Sequence, residues 1–413
     1  MNWLFEQGEY RTPGLSLRLR LRPRVMIKEP PSGGVEVIHP WGAVRLDGLS
    51  PTLAATLKLL NSGWLEHTTF WSTGGARGSK NAGDIDNIAS MSELVWLLDR
   101  LDFLCKLQLA RYDTPLVTVE PLSYASKLVF SDYSGRRLRL SRFAYLQRHE
   151  DGLAMESAIA AYRIILHDDW GAAIARVLAR GGSLMELPTL TPAFGDEGAL
   201  IVIALLESAG MLDGGEHASE TGIGAELQEM GEFHDLLFHR RSRFGQHDAP
   251  FGAQFPYLGK IPPLPALGPP LSDSFIVLPS PSENEVRSRD LTLSQALERR
   301  VSVREYGDEP MSLPQLGEFL FRCARVRAQY GPTPEAGMPY QATDRPYPSG
   351  GAVHDLELYL IVGWVRDLPA GVYHYAADRH VLEKLTTTDE DAAVLLQAAM
   401  RSSGISKPPH VLI

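Results

Sequence analysis

A chain of 413 residues, 44% hydrophobic and 22% charged, has an ordinary globular composition, and roughly 100–200 residues per domain gives it two to four domains. Its formal net charge of −10 argues against general nucleic-acid binding. Cys105 and Cys323 are too few for a disulfide framework or a thiolate metal cluster, no apolar run reaches membrane-spanning length, and Met1-Asn-Trp-Leu-Phe lacks a basic segment before an apolar one. The default expectation is a cytoplasmic protein without a membrane or nucleic-acid partner.

From the N-terminus, Leu17, Leu19 and Leu21 alternate with Arg18, Arg20 and Arg22, which predicts a strand. Leu94, Leu97, Leu98 and Leu101 make a helical stripe. The Gly-rich stretch 72–84 lacks the Gly-Lys-Ser/Thr ending of a phosphate-binding loop and reads as a connection. A second group follows, with a strand-like Leu138–Leu146 and helices over 153–166, 171–180 and 196–210. Residues 1–130 and 131–249 are thus expected as two small winged-helix-like α+β modules. His234, Asp235, His239 and His247 lie close in sequence, but they form no complete ligand motif and are interleaved with Phe233, Phe238, Phe244 and arginines; packing contacts are expected there, and no metal.

Nine prolines between Pro250 and Pro281 preclude a continuous helix and predict a stiff linker over 250–284. Beyond it, Thr292 and Gln295 form a capping-box signature, and Leu293, Ala296 and Leu297 share one face of a helix running into Arg299 and Arg300. From Val301 the chain reads as extended, and a period of two would send Arg300, Ser302 and Arg304 to one side. Arginines at a helix end suit a phosphate dianion, through planar charge-assisted hydrogen bonds; they equally complement a helix dipole in water. Further on, Pro346 and Pro348 set an extended approach to Gly350 and Gly351, after which Leu356, Leu358, Leu360 and Val362 alternate with Glu357, Tyr359 and Ile361. This is a loop entering a strand. It would bring backbone N–H groups close to a flat ring, and a plain turn would look similar. His354 and His374 show no catalytic partner in the sequence and read as structural histidines.

Taken in order, Arg300-Val-Ser-Val-Arg304 and Arg345-Pro-Tyr-Pro-Ser-Gly-Gly-Ala-Val-His-Asp-Leu-Glu-Leu-Tyr359 resemble the flavin-contact segments of the nitroreductase family. The second phrase, with Pro369-Ala-Gly-Val-Tyr-His-Tyr375, resembles its SagB-type branch, which includes the azoline dehydrogenases of thiazole/oxazole-modified peptides. Phe233–Gly245 and Ile261–Pro265 resemble the segment preceding the catalytic domain in that branch.

The resemblance implies an α+β fold in which the winged-helix-like modules precede a nitroreductase-like domain over 285–413. It implies FMN as cofactor, contacted by Arg300, Ser302 and Arg304 and by Pro348, Ser349, Gly350 and Gly351. Val301 departs from the basic residue often found there. It also implies a homodimer, an azoline-containing peptide as substrate, oxidation of thiazoline or oxazoline to the aromatic azole, and cyclodehydratase partner proteins. Winged-helix-like units of such systems often take a leader peptide as an added strand. The family continues well past the strand that begins near Ser403–Ile413, so a missing C-terminal part is expected; the Lys-Tyr pair associated with azoline deprotonation has no counterpart in the sequence, and no catalytic base is assigned. The alternatives are a nitro or quinone reductase, a nonribosomal-peptide oxidase, or a non-enzymatic peptide-binding scaffold.

Overall fold

The computed structural model describes residues 10, 12–31, 33–70, 91–128, 138–167, 170–182, 186, 195–213, 230–249, 253–303 and 307–413. Both the Gly-rich stretch 72–84 and Arg304 lie outside them. The chain divides into two units, Met1–Gln254 and Phe255–Ile413.

A seven-stranded sheet organises the first unit, in the order Leu65–Glu66, Leu15–Leu21, Cys105–Arg111, Thr114–Pro121, Tyr162–Leu166, Gly152–Ser157, Ala144–His149. Every neighbouring pair is antiparallel. The strand predicted at Leu17–Leu21 sits inside this sheet with its leucines buried, because alternation places them all on the core side. Arg18, on the other side, is engaged by Glu66 at 3.0 Å and by the Tyr112 carbonyl at 2.6 Å. The predicted helices appear at Met91–Leu101, Trp170–Ala179 and Gly195–Ser208, and their apolar faces join a single core with Leu17, Leu57, Leu98, Leu178 and Leu205.

Two expectations are corrected here. Residues 153–166 form strands Gly152–Ser157 and Tyr162–Leu166 in place of a helix. Their run is buried almost throughout, so periodicity could not separate helix from strand, and pairing of Ile164 with Val119 and Met155 decides it. The two expected modules also share one sheet and one core: Tyr162–Leu166 pairs with Thr114–Pro121 across the expected boundary at 130/131.

Helix Phe233–Arg241 and the residues after it are fastened to the polar side of this sheet. Glu156, 1% exposed, accepts hydrogen bonds from Tyr145 Oη (2.6 Å), Gln147 Nε2 (3.1 Å) and Arg163 Nε (2.6 Å), and it pairs with Arg241. Arg240 donates to the Ile159 carbonyl, Trp41 Nε1 to the His247 carbonyl, and Arg163 to Asp248. The clustered histidines make ring and hydrogen-bond contacts, such as His239 with Arg243 and His247 Nδ1 with the Ala249 N–H.

A five-stranded antiparallel sheet, Phe275–Val277, Val381–Lys384, Gly371–Ala376, Tyr359–Val362, Val411–Leu412, organises the second unit. Leu360, Val362, Tyr373, Tyr375 and Leu382 join Leu316 and Leu320 of helix Leu313–Ala324 in its core. The proline-rich segment expected as a linker therefore supplies an edge strand, Phe275–Val277. Its Leu271 N–H donates to Glu383, and Leu278 is buried. Prolines at 279 and 281 flank this short strand and leave its ladder intact. Helix Leu293–Arg299 carries the predicted capping box, with Gln295 N to Thr292 Oγ1 at 3.3 Å and Thr292 N to Gln295 Oε1 at 3.0 Å. Its residues are all exposed, Leu293 at 77%. Residues 301–303 are in no strand, since no neighbouring strand pairs with them.

Candidate functional site

The hairpin Ala328–Tyr330/Ala342–Asp344 delivers the chain into Arg345-Pro-Tyr-Pro-Ser-Gly-Gly351. Ser349 is extended, and Gly350–Ala352 then make a single tight helical turn. Gly351 has φ +62°, and the following Ala352 and His354 are left-handed at +54° and +47°. Left-handed backbone at residues with a Cβ is strained, and the loop holds two such residues within three positions. Ser349 Oγ accepts the His354 N–H at 3.1 Å, and Tyr340 Oη donates to the Gly351 carbonyl at 3.1 Å. A Cβ on Gly351 would meet Tyr340 Oη at 2.6 Å, whereas one on Gly350 would meet open space.

Behind the loop lie two polar side chains of the same segment that the sequence did not single out as contact residues. Arg345 is 5% exposed, and its Nε donates to Thr343 Oγ1 at 3.1 Å. His354 is 6% exposed and stands edge-on to Tyr347 at 4.9 Å. Its ring bonds the Thr343 backbone, which leaves Nδ1 buried without a partner. Burial first, and the Arg345 charge second, hold the His354 pKa below its ordinary value, so the ring is neutral and Nδ1 is an open acceptor.

Arg300 and Ser302 occupy a different setting. Arg300 caps its helix through the backbone, its N–H reaching the Ala296 carbonyl at 3.1 Å, and both residues are exposed. Among the described residues no hydrogen bond or ion pair joins them to Pro348, Ser349, Gly350 or Gly351. Among the described residues the structure thus groups Ser349–Gly351 with Arg345, Thr343, Tyr340 and His354, and leaves Arg300 and Ser302 apart.

A second polar cluster lies where the loop runs into the sheet. His374 Nε2 is 3.0 Å from Glu357 Oε2, and His374 Nδ1 is 2.8 Å from Glu383 Oε2. Glu383 has no exposure, pairs with Arg379, and accepts the Leu271 N–H at 3.1 Å. Burial pushes its carboxyl up, but the hydrogen bonds from His374, Arg379 and Leu271 outweigh this and hold it below its ordinary value. Among the described residues no group of three or more His, Cys, Asp or Glu side chains is arranged to hold a metal ion. No described helix is long and apolar enough to cross a membrane.

These features fit a ligand with a flat, polar-edged ring. A glycine leaves room for close approach, an orphaned acceptor is buried at the loop's base, and a guanidinium stands beside it.

Comparison with known proteins gives two matches. Residues 138–248 match the family described as cyanobactin oxidase ThcOx; they lie wholly in the first unit. A Methanocaldococcus jannaschii protein that carries the name nitroreductase is 35% identical over 124 residues, which is 30% of this chain and 56% of that protein. The chain therefore spans about half the length of the curated relative it matches.

Proposed function

We propose that this chain, which belongs to the SagB-type branch of the nitroreductase family, is an FMN-dependent oxidoreductase acting on a peptide that carries azoline rings. The observation that carries the reading is the 345–354 loop, in which strained backbone, a glycine approach and an unpaired buried acceptor converge. When bound, FMN supplies a two-electron acceptor, the chemistry that converts a thiazoline or oxazoline to its azole. The chain's own residues hold and orient: Ser349 fixes the loop through the His354 N–H, Gly350, beside open space, gives close approach, and Arg300, Ser302 and Arg304 supply the phosphate contacts. The exposed apolar side of Leu293–Arg299, continued by Val301 and Val303, supports a homodimer, since a second copy would cover it.

A peptide-binding scaffold is the second reading, favoured by one observation. Among the described residues Ala144–His149 is an edge strand paired only with Gly152–Ser157, an arrangement to which an extended peptide could add as a strand.

The deciding measurement is the visible spectrum of the purified full chain, with any released cofactor identified by mass spectrometry. Stoichiometric FMN, followed by oxidation of a thiazoline-containing peptide, is the expected result. A colourless folded protein that FMN cannot reconstitute overturns the flavin reading and leaves the scaffold. An Arg300→Ala/Arg304→Ala double variant is expected to fold and retain little FMN; unchanged FMN affinity removes those arginines from the site.

A further inference from the structure

We propose that His374 is a proton-operated clamp on the exit of the 345–354 loop: its imidazolium bridges Glu357 to the buried Glu383, and loss of one proton releases Glu357 while the sheet stays paired. The proposal goes beyond the flavin reading and does not depend on it.

Three elements build the clamp. His374, 8% exposed, lies on the central strand Gly371–Ala376, opposite Tyr359 on one side and Glu383 on the other. Its Nδ1 is 2.8 Å from Glu383 Oε2 and its Nε2 is 3.0 Å from Glu357 Oε2. Glu383 has no exposure, whereas the Glu357 side chain is 43% exposed. Glu357 belongs to the stretch that leaves the loop. Upstream, the His354 N–H is held by Ser349 Oγ; downstream, the Leu358 carbonyl accepts the Tyr375 N–H at 2.9 Å. Between these anchors the bond from His374 to Glu357 ties the chain to the sheet.

The two carboxylates do not compete equally for a neutral ring, which has a single N–H. Taking that donor from Glu383 would leave a buried anion short of a partner, at the full desolvation penalty. Glu357 can be hydrated instead. The single N–H therefore stays on Nδ1, and Nε2 turns a lone pair toward a carboxylate that has only lone pairs to offer. Attraction becomes repulsion, and Glu357 moves into water.

The other groups that face the ring keep this order. Arg379 pairs with Glu383, the Leu271 N–H donates to Glu383, and together with His374 they hold its carboxyl below the ordinary range. Tyr359 meets the imidazole through its ring, at 5.2 Å. Helix Asp389–Ser403 also packs on this sheet, and among the described residues it makes no hydrogen bond or ion pair with His374. The loop exit is thus fastened while His374 is charged and freed as pH rises through the titration of the ring.

The test follows the ring nitrogens of His374 by NMR in the full chain from about pH 5 to 9, the span in which histidines ordinarily titrate. Hydrogen-exchange protection is measured over the same series. Protection of residues 355–358 is expected to fall about fivefold to tenfold with the midpoint of the ring, the effect of one charge-assisted hydrogen bond to a half-exposed partner. Protection of 371–376 and 381–384 should stay level. In Glu357→Gln the amide accepts from the charged ring and donates to the neutral one, so protection should persist through the titration. Glu357→Ala should be loose at every pH. Level protection of 355–358 in native protein, a His374 ring with one charge state throughout, or a Glu357→Gln variant that keeps the native step overturns the proposal. So does a step shared by 371–376 and 381–384, which would mark loosening of the whole sheet.

Discussion

Nδ1 of His374 lies 2.8 Å from Oε2 of Glu383, a carboxylate with no solvent exposure, while Nε2 of the same ring faces Glu357 at 3.0 Å. A neutral imidazole has one N–H, so only the doubly protonated ring donates to both carboxylates. The cluster ties Glu357, at the exit of the candidate loop, to two strands of the sheet.

Glu383→Gln should therefore destabilise the second unit by about 1–3 kcal/mol, because a neutral amide would face Arg379 and His374 in place of a buried anion. The pH dependence follows from the direction of the shift. The folded-state pKa of Glu383 is depressed below its ordinary 4.5, so its contribution is present above that value and is lost as pH falls through the folded-state pKa. The gap between native protein and variant should narrow below about pH 4. Hydrogen exchange over residues 357–384 would show it, and an equal gap at acid and neutral pH would refute the ionic account.

Gly351 and Gly350 give a matched pair. Gly351→Ala places a Cβ 2.6 Å from Tyr340 Oη in left-handed backbone, at a cost of about 1–2 kcal/mol from the backbone alone. Gly350→Ala meets nothing within 4 Å. Thermal unfolding of the full chain should fall for the first and be nearly unchanged for the second. Equal effects would show that the left-handed turn is not what the loop requires.

How legible this was in the sequence depends on how local each signal is. The Thr292/Gln295 capping box, the Leu94–Leu101 stripe and the alternation at Leu17–Leu21 are set by neighbours in the chain, and the structure has all three elements. Residues 153–166 misled because a buried apolar run has no polar face to reveal its period. The strand at Phe275–Val277 was hidden among prolines, since an edge strand tolerates them at its flanks and its partner, Val381–Glu383, is a hundred residues away. At the site, the Pro-Ser-Gly-Gly loop was visible as a motif. Arg345 and His354 were visible only as letters: their burial, and the unpaired Nδ1 of His354, belong to tertiary packing and not to spacing.

Asp102 of the first unit tests burial without any ligand. Its carboxylate accepts the Leu128 N–H at 2.8 Å and the Tyr162 hydroxyl at 3.4 Å, yet burial outweighs both and pushes its pKa from an ordinary 3.8 up to about 6. A folded-state pKa above the unfolded value gives a contribution that is fully present below about pH 3.8 and is lost as pH rises through about 6. At neutral pH the ionised Asp102 therefore weighs against the fold by on the order of 2–3 kcal/mol relative to its protonated form. Asp102→Asn keeps an oxygen for Leu128 and carries no charge, so it should be more stable than native protein near neutral pH and show no gain below about pH 4. Six of the seven tryptophans precede residue 255, so tryptophan fluorescence in a urea series reads mainly this unit. A variant less stable than native protein at neutral pH would mean that the two hydrogen bonds to the ionised carboxylate exceed the cost of burying it.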